Sequence, residues 1–309
     1  KETFEQEKLE TKFDGYYFVN TEPEVIPDEV KTGDVIKVNY TIRKDLSYTV
    51  KYINIENNNA EMLPAKVVEN QTFNERITEE APEILGYLPK KDKITKRITT
   101  GVNEFIFEYE VARNLPYTVN YYEEGTTKKA TESKEVWGNT YADVVTETAI
   151  DIDGYNKVEP TTQEITIQMK DNVINFYYTK RTDLKYRVEH YVDGVLQPEK
   201  TDYYENQTFK TKITKFTDKS EYGYKVGSTE NLPLTISTDE EANVIKVHYV
   251  IDEDQRKDLK YTVEYYKDGT LADKEEFTEN VQVLKPNTMT VEKETFEQEK
   301  LETKFDGYY

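Results

Sequence analysis

The chain contains no cysteine, so neither a disulfide framework nor thiolate chemistry holds it together or works in it. Histidine appears twice and tryptophan once in 309 residues. That leaves little material for a zinc site or for a nucleophile activated by an imidazole. The 12 glycines are scattered at turns, and none forms the Gly-rich loop that cradles a phosphate. No stretch reaches the roughly 18 apolar residues of a membrane-spanning helix. No signal peptide opens the sequence, which starts mid-pattern at Lys1, as a piece cut from a longer array would. Positive charge is also in deficit: 41 Lys and Arg against 61 Asp and Glu give a net charge of −20. An excess of that sign opposes nucleic-acid phosphates and anionic bilayers, and favours a self-repelling, extended molecule.

What the chain does contain is repetition. LSYTVKYI begins at Leu46, LPYTVNYY at Leu115, LKYRVEHY at Leu184 and LKYTVEYY at Leu259, and their first tyrosines are 69, 69 and 75 residues apart. Apolar residues alternate within each copy, the signature of a half-buried strand. A Gly-Tyr pair recurs at Gly15, Gly86, Gly154, Gly223 and Gly307. Closing strands follow at 34–42, 103–111, 172–180 and 243–251, with Ile36, Val38 and Tyr40 and their counterparts on one face. A fixed period of this kind marks an array. The expected division is 1–43 (second half of a repeat), 44–112, 113–181 and 182–256 (repeats), and 257–309 (first half of a repeat).

Within each repeat the order reads β, β, short α, β, β. Asp193-Gly194 and Asp268-Gly269 mark hairpins after the opening strand. The stretches 72–81 and 140–150 fit a short helix, with a strand as the alternative. The third strand is expected from Tyr155 to Ile167. Joints are short, the longest being 252–258, where flexibility is expected. Residues 1–17 recur unchanged at 293–309. A longer array with a four-bead super-repeat explains this. The sharper alternative is head-to-tail self-association, one molecule supplying strands that another lacks.

The opening strand, the segments ESKEVWGNTYADVV (132–145) and ENQTFKTKIT (205–214), the Gly-Tyr pair and the closing NVINFYYTK together resemble the MucBP (mucin-binding protein) repeat of Gram-positive surface proteins. The resemblance covers three complete copies and two partial ones. It implies an α+β, β-rich fold, a tandem array of small β-grasp (ubiquitin-like) beads in an elongated string. It further implies an extracellular, cell-wall-attached bacterial adhesin, anchored through regions outside these residues. In a β-grasp bead the first and last strands lie side by side and parallel, so the third copy would be clamped by Leu115 to Tyr121 against Val173 to Tyr178.

The expected function is therefore non-enzymatic, a load-bearing stalk, with no cofactor, no metal and no isopeptide cross-link. Acidic pairs at 151–153 and 252–254 lack the spacing of a calcium loop. The alternative is direct binding of mucin glycans or a host surface protein. The 26 tyrosines are the excess that would serve it, although tyrosine is also a favoured strand residue. Tyr122, Tyr177, Tyr191, Tyr203, Tyr204 and Tyr266 are the candidates for exposure. The ligand contacts expected are Trp137, Tyr122, Tyr177, Tyr203 and Tyr204. His190 takes an inward tyrosine slot and His248 an outward one, and neither recurs in the other copies.

Overall fold

A computed structural model describes residues 2–308 of the chain. The protein is β-rich, 51% strand and 7% helix. Contacts divide it into two compact units, residues 1–150 with 157–177, and residues 151–156 with 178–309.

In the first unit, the strand Leu46–Asn54 lies in the middle of a four-stranded sheet. On one side it pairs antiparallel with Ala60–Gln71. On the other it pairs parallel with Glu104–Val111, setting Val50 opposite Phe105 and Tyr52 opposite Phe107. Tyr87–Pro89 closes the far edge. Alternation sends Leu46, Tyr48, Val50 and Tyr52 to one face, where they form a core with Phe105, Phe107, Tyr109 and Ile98. The strands Leu115–Glu123, Lys129–Asn139, Tyr155–Lys157 and Val173–Lys180 adopt the same order. In the second unit Leu184–Val192 again lies beside and parallel to Val244–Ile251. Val188 sits opposite Ile245 and His190 opposite Val247, over a core of Leu184, Tyr186, Val188, Leu234, Ile236, Ile245, Val247 and Tyr249.

The short helix expected at 72–81 and 140–150 does not form. Arg76–Glu80 and Val144–Thr148 are strands, paired antiparallel with Lys93–Arg97 and Thr162–Thr166 in two-stranded ribbons. Two causes are visible. Val144, Val145, Thr146 and Thr148 are β-branched and lose rotamer freedom in a helix. Asn74 and Ala142 sit at φ 62° and 68°, a left-handed turn just before each strand that a helical start cannot accommodate. The third strand is corrected as well. It breaks after Lys157, and its second part, Thr162–Thr166, joins the ribbon instead of the sheet.

The ribbons are pinned to the sheets by a repeated triad. The Tyr48 hydroxyl donates to Glu79 at 2.5 Å, and Lys66 donates to the same carboxylate at 2.8 Å. Tyr117, Glu147 and Lys134 repeat this at 2.6 Å for both bonds. Burial, then the hydrogen bond to Glu79, pushes the Tyr48 hydroxyl up to about 12, and Tyr117 follows for the same reasons. Burial alone would raise Glu79 and Glu147, but the lysine and tyrosine hydrogen bonds outweigh it and lower both. Where the ribbon shrinks to Lys212–Ile213 and Leu234–Thr235, Tyr204 stacks on Tyr186 at 4.6 Å instead.

An asparagine precedes each complete closing strand, buried at Asn172 and Asn243 and half-buried at Asn103. The side-chain amide of Asn243 donates to the carbonyls of Lys185 at 3.0 Å and Ser237 at 2.8 Å, and its oxygen accepts the Ser237 N–H at 3.0 Å. Asn172 makes the matching bonds to Pro116 and Gln168, and Asn103 to Ser47 and Thr99. Asn243→Ala leaves three part-buried backbone groups without their partner and is expected to lower the stability of residues 184–251 by about 2 kcal/mol. Hydrogen exchange of the Leu184–Val192 amides measures it, and a loss below about 0.5 kcal/mol would contradict the role.

Candidate functional site

The most regular feature outside the cores is the joint between successive sheets. In the first unit the Arg43 N–H donates to the Gly15 carbonyl at 2.9 Å, and the Arg43 carbonyl accepts the Phe73 N–H at 2.9 Å. One repeat later, Ala112 stands between Gly86 and Tyr141 with both bonds at 2.8 Å. In the second unit, Arg181 stands between Gly154 and Phe209 with both at 2.9 Å. The joint after Gly223 spreads the pattern over two residues. Asp252 donates to Gly223 at 2.8 Å, and Gln255 accepts from Val283 at 3.0 Å. The Gln255 side chain also accepts the Gly223 N–H at 2.9 Å, so the joint expected to be flexible is tied.

The Gly-Tyr landmark owes its glycine to this contact. Gly15, Gly86, Gly154 and Gly223 have φ between 79° and 87°, and a Cβ on each would lie 2.1–2.6 Å from Phe73, Tyr141, Phe209 or Leu284. Only a residue without a side chain lets the next ring lie flat on the backbone. Tyr155 meets the Phe209 ring edge-on at 5.5 Å, and Lys210 covers the Tyr155 ring at 5.2 Å.

Polar groups add to the joint at its rim. Thr100 donates to Asp14 at 2.7 Å, and Thr238 to Asp153 at 2.8 Å. Arg43 pairs with Asp45 at 3.1 Å, and Arg181 with Asp183 at 2.9 Å. The Arg43 guanidinium and then the Tyr17 hydroxyl hold the Asp45 carboxyl down at about 2. These pairs are solvent-exposed, so they orient the joint more than they stabilise it.

The aromatic residues expected to touch a ligand fall into three places: Trp137, the Tyr122–Tyr177 pair, and Tyr203 with Tyr204. Trp137 is 57% exposed, on a strand whose neighbours Val136 and Asn139 face Tyr117 and Leu115. Tyr122 and Tyr177 pair at 6.4 Å at the other end of the opening strand, about 20 Å away along it. Tyr177 is exposed and Tyr122 half-buried. Tyr203 is 74% exposed, beside a cleft of about 270 Å³ that includes Lys185, Arg187 and Glu241. Tyr204 borders the same cleft but is half-buried, stacked on Tyr186 against the core, which corrects its expected exposure. Tyr191 is half-buried too, stacked on His248 and donating to Glu189 at 2.7 Å. Tyr266 is exposed.

His190 is fully buried, with Nδ1 2.9 Å from the Tyr249 hydroxyl and Nε2 3.3 Å from Asp202. Burial pushes its pKa down, and it behaves as a core residue. Among the described residues no group of three or more acidic or histidine side chains is placed to hold a metal ion.

The chain matches no protein-family model and no curated protein sequence. Among solved structures it is similar to the Bacillus anthracis TIE protein at 11% identity and a TM-score of 0.29, over 51% of this chain and 39% of that one. It therefore spans about two fifths of that protein's length. It is also similar to the type 2 repeat of the mucus binding protein MUB from Lactobacillus reuteri, at 14% identity and a TM-score of 0.17, over 43% of this chain and 98% of that one. A Streptococcal ancillary pilin aligns at 11% identity and a TM-score of 0.20, over 54% and 76%. Overlaps of this size carry no argument about the activity of this chain.

Gly154→Ala puts a side chain at a positive φ and into the Phe209 ring, a strain of about 1–2 kcal/mol before the clash. The expected outcome is faster hydrogen exchange at the Arg181 and Phe209 amides, with the Leu184–Val192 strand still protected. Unchanged exchange at both amides would remove the joint from consideration.

Proposed function

We propose that the chain is an extended, load-bearing segment of a bacterial surface adhesin, built from tandem beads at 44–112, 113–181 and 182–256 with half-beads on either side. Each bead is a β-grasp in which a two-stranded ribbon stands where the helix of that fold would be. The observation that carries the proposal is the parallel pairing of first and last strands, Leu46–Asn54 with Glu104–Val111 and Leu184–Val192 with Val244–Ile251. Parallel neighbours put the start of one strand and the end of the other at opposite poles of the sheet. Tension applied through the chain then shears a whole row of backbone hydrogen bonds together. The glycine–ring joints fix each bead to the next and suit the same task. Cell-wall attachment belongs to the proposal through the MucBP-like pattern.

Small-angle scattering tests the extension. Beads about 30 Å long, set end to end, give a rod with a radius of gyration of about 40 Å. A compact chain of this length would show about 19 Å, and that result would end the proposal.

A second reading is capture of mucin glycans or a host protein, favoured by the Tyr122–Tyr177 ring pair on the outward face. On a mucin glycan array it requires binding that is lost in the Tyr122→Ala, Tyr177→Ala double variant. Absence of binding by the unaltered chain removes this reading.

A further inference from the structure

Of the three complete beads, one has an imidazole in its core. His190 lies in the opening strand Leu184–Val192, at the inward position that Tyr52 and Tyr121 hold in the beads at 44–112 and 113–181. It is completely buried, and its ring lies nearly parallel to that of Tyr249, with centroids 5.8 Å apart. Both ring nitrogens are engaged, Nδ1 with the Tyr249 hydroxyl at 2.9 Å and Nε2 with Asp202 at 3.3 Å. Histidine is the side chain whose ordinary titration falls between about pH 5 and 8.

The bonds around the ring fix its neutral form. An ionised carboxylate only accepts, so Nε2 carries the proton and donates it to Asp202. Nδ1 is then the acceptor, and the Tyr249 hydroxyl donates to it. The same hydroxyl oxygen accepts the Lys219 N–H at 2.8 Å. Lys219 also extends its ammonium to Asp202 at 2.5 Å and to the Lys200 carbonyl at 2.8 Å. These bonds hold residues 214–221, which have no regular secondary structure of their own, together with the Lys200–Glu221 pair and Phe216 against the core. The bead at 44–112 ties its closing strand differently. There Tyr109 donates its hydroxyl proton to the Pro82 carbonyl at 2.7 Å, a bond between groups that do not titrate in acid.

A proton taken up by His190 has to enter at Nδ1, where the Tyr249 hydroxyl proton already points. Uptake sets an N–H against an O–H and leaves a cation in a fully buried place. Asp202 favours that cation, while Lys219 and Lys200 oppose it. Glu221 is taken up by Lys200, and Asp218, which bears on Tyr249, is exposed and accepts the Ser220 N–H at 2.9 Å. Burial outweighs the help from Asp202 and holds the His190 pKa below its ordinary 6.5.

We propose that His190 makes the bead at 182–256 acid-sensitive: proton uptake at Nδ1 breaks the bond from Tyr249, loosens residues 214–221, and lets this bead open before the other two complete ones. The unfolded chain binds the proton near pH 6.5 and the folded bead only at lower pH. The bead therefore has its full stability above pH 6.5 and loses it as the pH falls below that value, its opening constant rising by up to about tenfold per pH unit. The proposal needs only this bead and stands apart from the load-bearing reading.

Hydrogen exchange of the whole chain at about pH 7.5 and 5.5 tests it, with the strands Leu46–Asn54 and Leu115–Glu123 as internal references. Relative to them, the Leu184–Val192 amides are expected to lose protection about fivefold to tenfold at the lower pH. His190→Gln keeps a polar side chain but takes up no proton, and is expected to remove the difference whatever it does to stability at pH 7.5. Imidazole NMR of the unaltered chain reads the site directly, since the other histidine, His248, is half-buried on the outer face. A His190 midpoint at or above 6.5 overturns the proposal. So does an equal loss of protection in all three strands, or a difference that persists in His190→Gln.

Discussion

The parallel contact between the first and last strands of a bead governs the rest of the structure. Parallel neighbours cannot be joined by a tight turn and need a long crossover. Everything between them, the second strand, the ribbon and the third strand, is that crossover folded down to cover one face. The covered face fixes the sequence pattern, because one-residue slips would turn Val50 or Phe107 outward. It also explains the asparagine clamp, which ties the loop before the closing strand to the start of the opening strand where the parallel ladder begins.

A bead of about 70 residues buries too little surface to be more than marginally stable by itself. The joints answer that weakness without disulfides. Each uses two backbone hydrogen bonds and a ring, or in one case a leucine, laid on a glycine. The linker residue itself varies, Arg43, Ala112 or Arg181, because only its backbone takes part.

The opening and closing strands were legible in the sequence because their alternation is strict and β-branched or aromatic throughout. The ribbon strands were not. Val144–Thr148 is short, and its apolar spacing suits two periods equally until the left-handed Ala142 decides the matter. The Gly-Tyr landmark was visible, but its partner lies about 55 residues on, in the next bead, at Phe73, Tyr141 or Phe209. A Thr-aromatic pair recurs at each of those positions and was the available signal. The inward turn of Tyr204 depends on the register shift between Leu184 and Tyr186, which no periodicity displays.

Mechanical clamping by the parallel pair is the central claim, and a cross-strand lock tests it most directly. Glu189 and Lys246 face one another across the clamp at 184–251. With cysteines at both positions, pulling single molecules by their ends under reducing conditions should show that bead yielding in one abrupt event. Oxidation should abolish the event and leave those of the other beads in place. If the locked bead yields at the same force and length as the unlocked one, tension does not pass through these strands and the account is wrong.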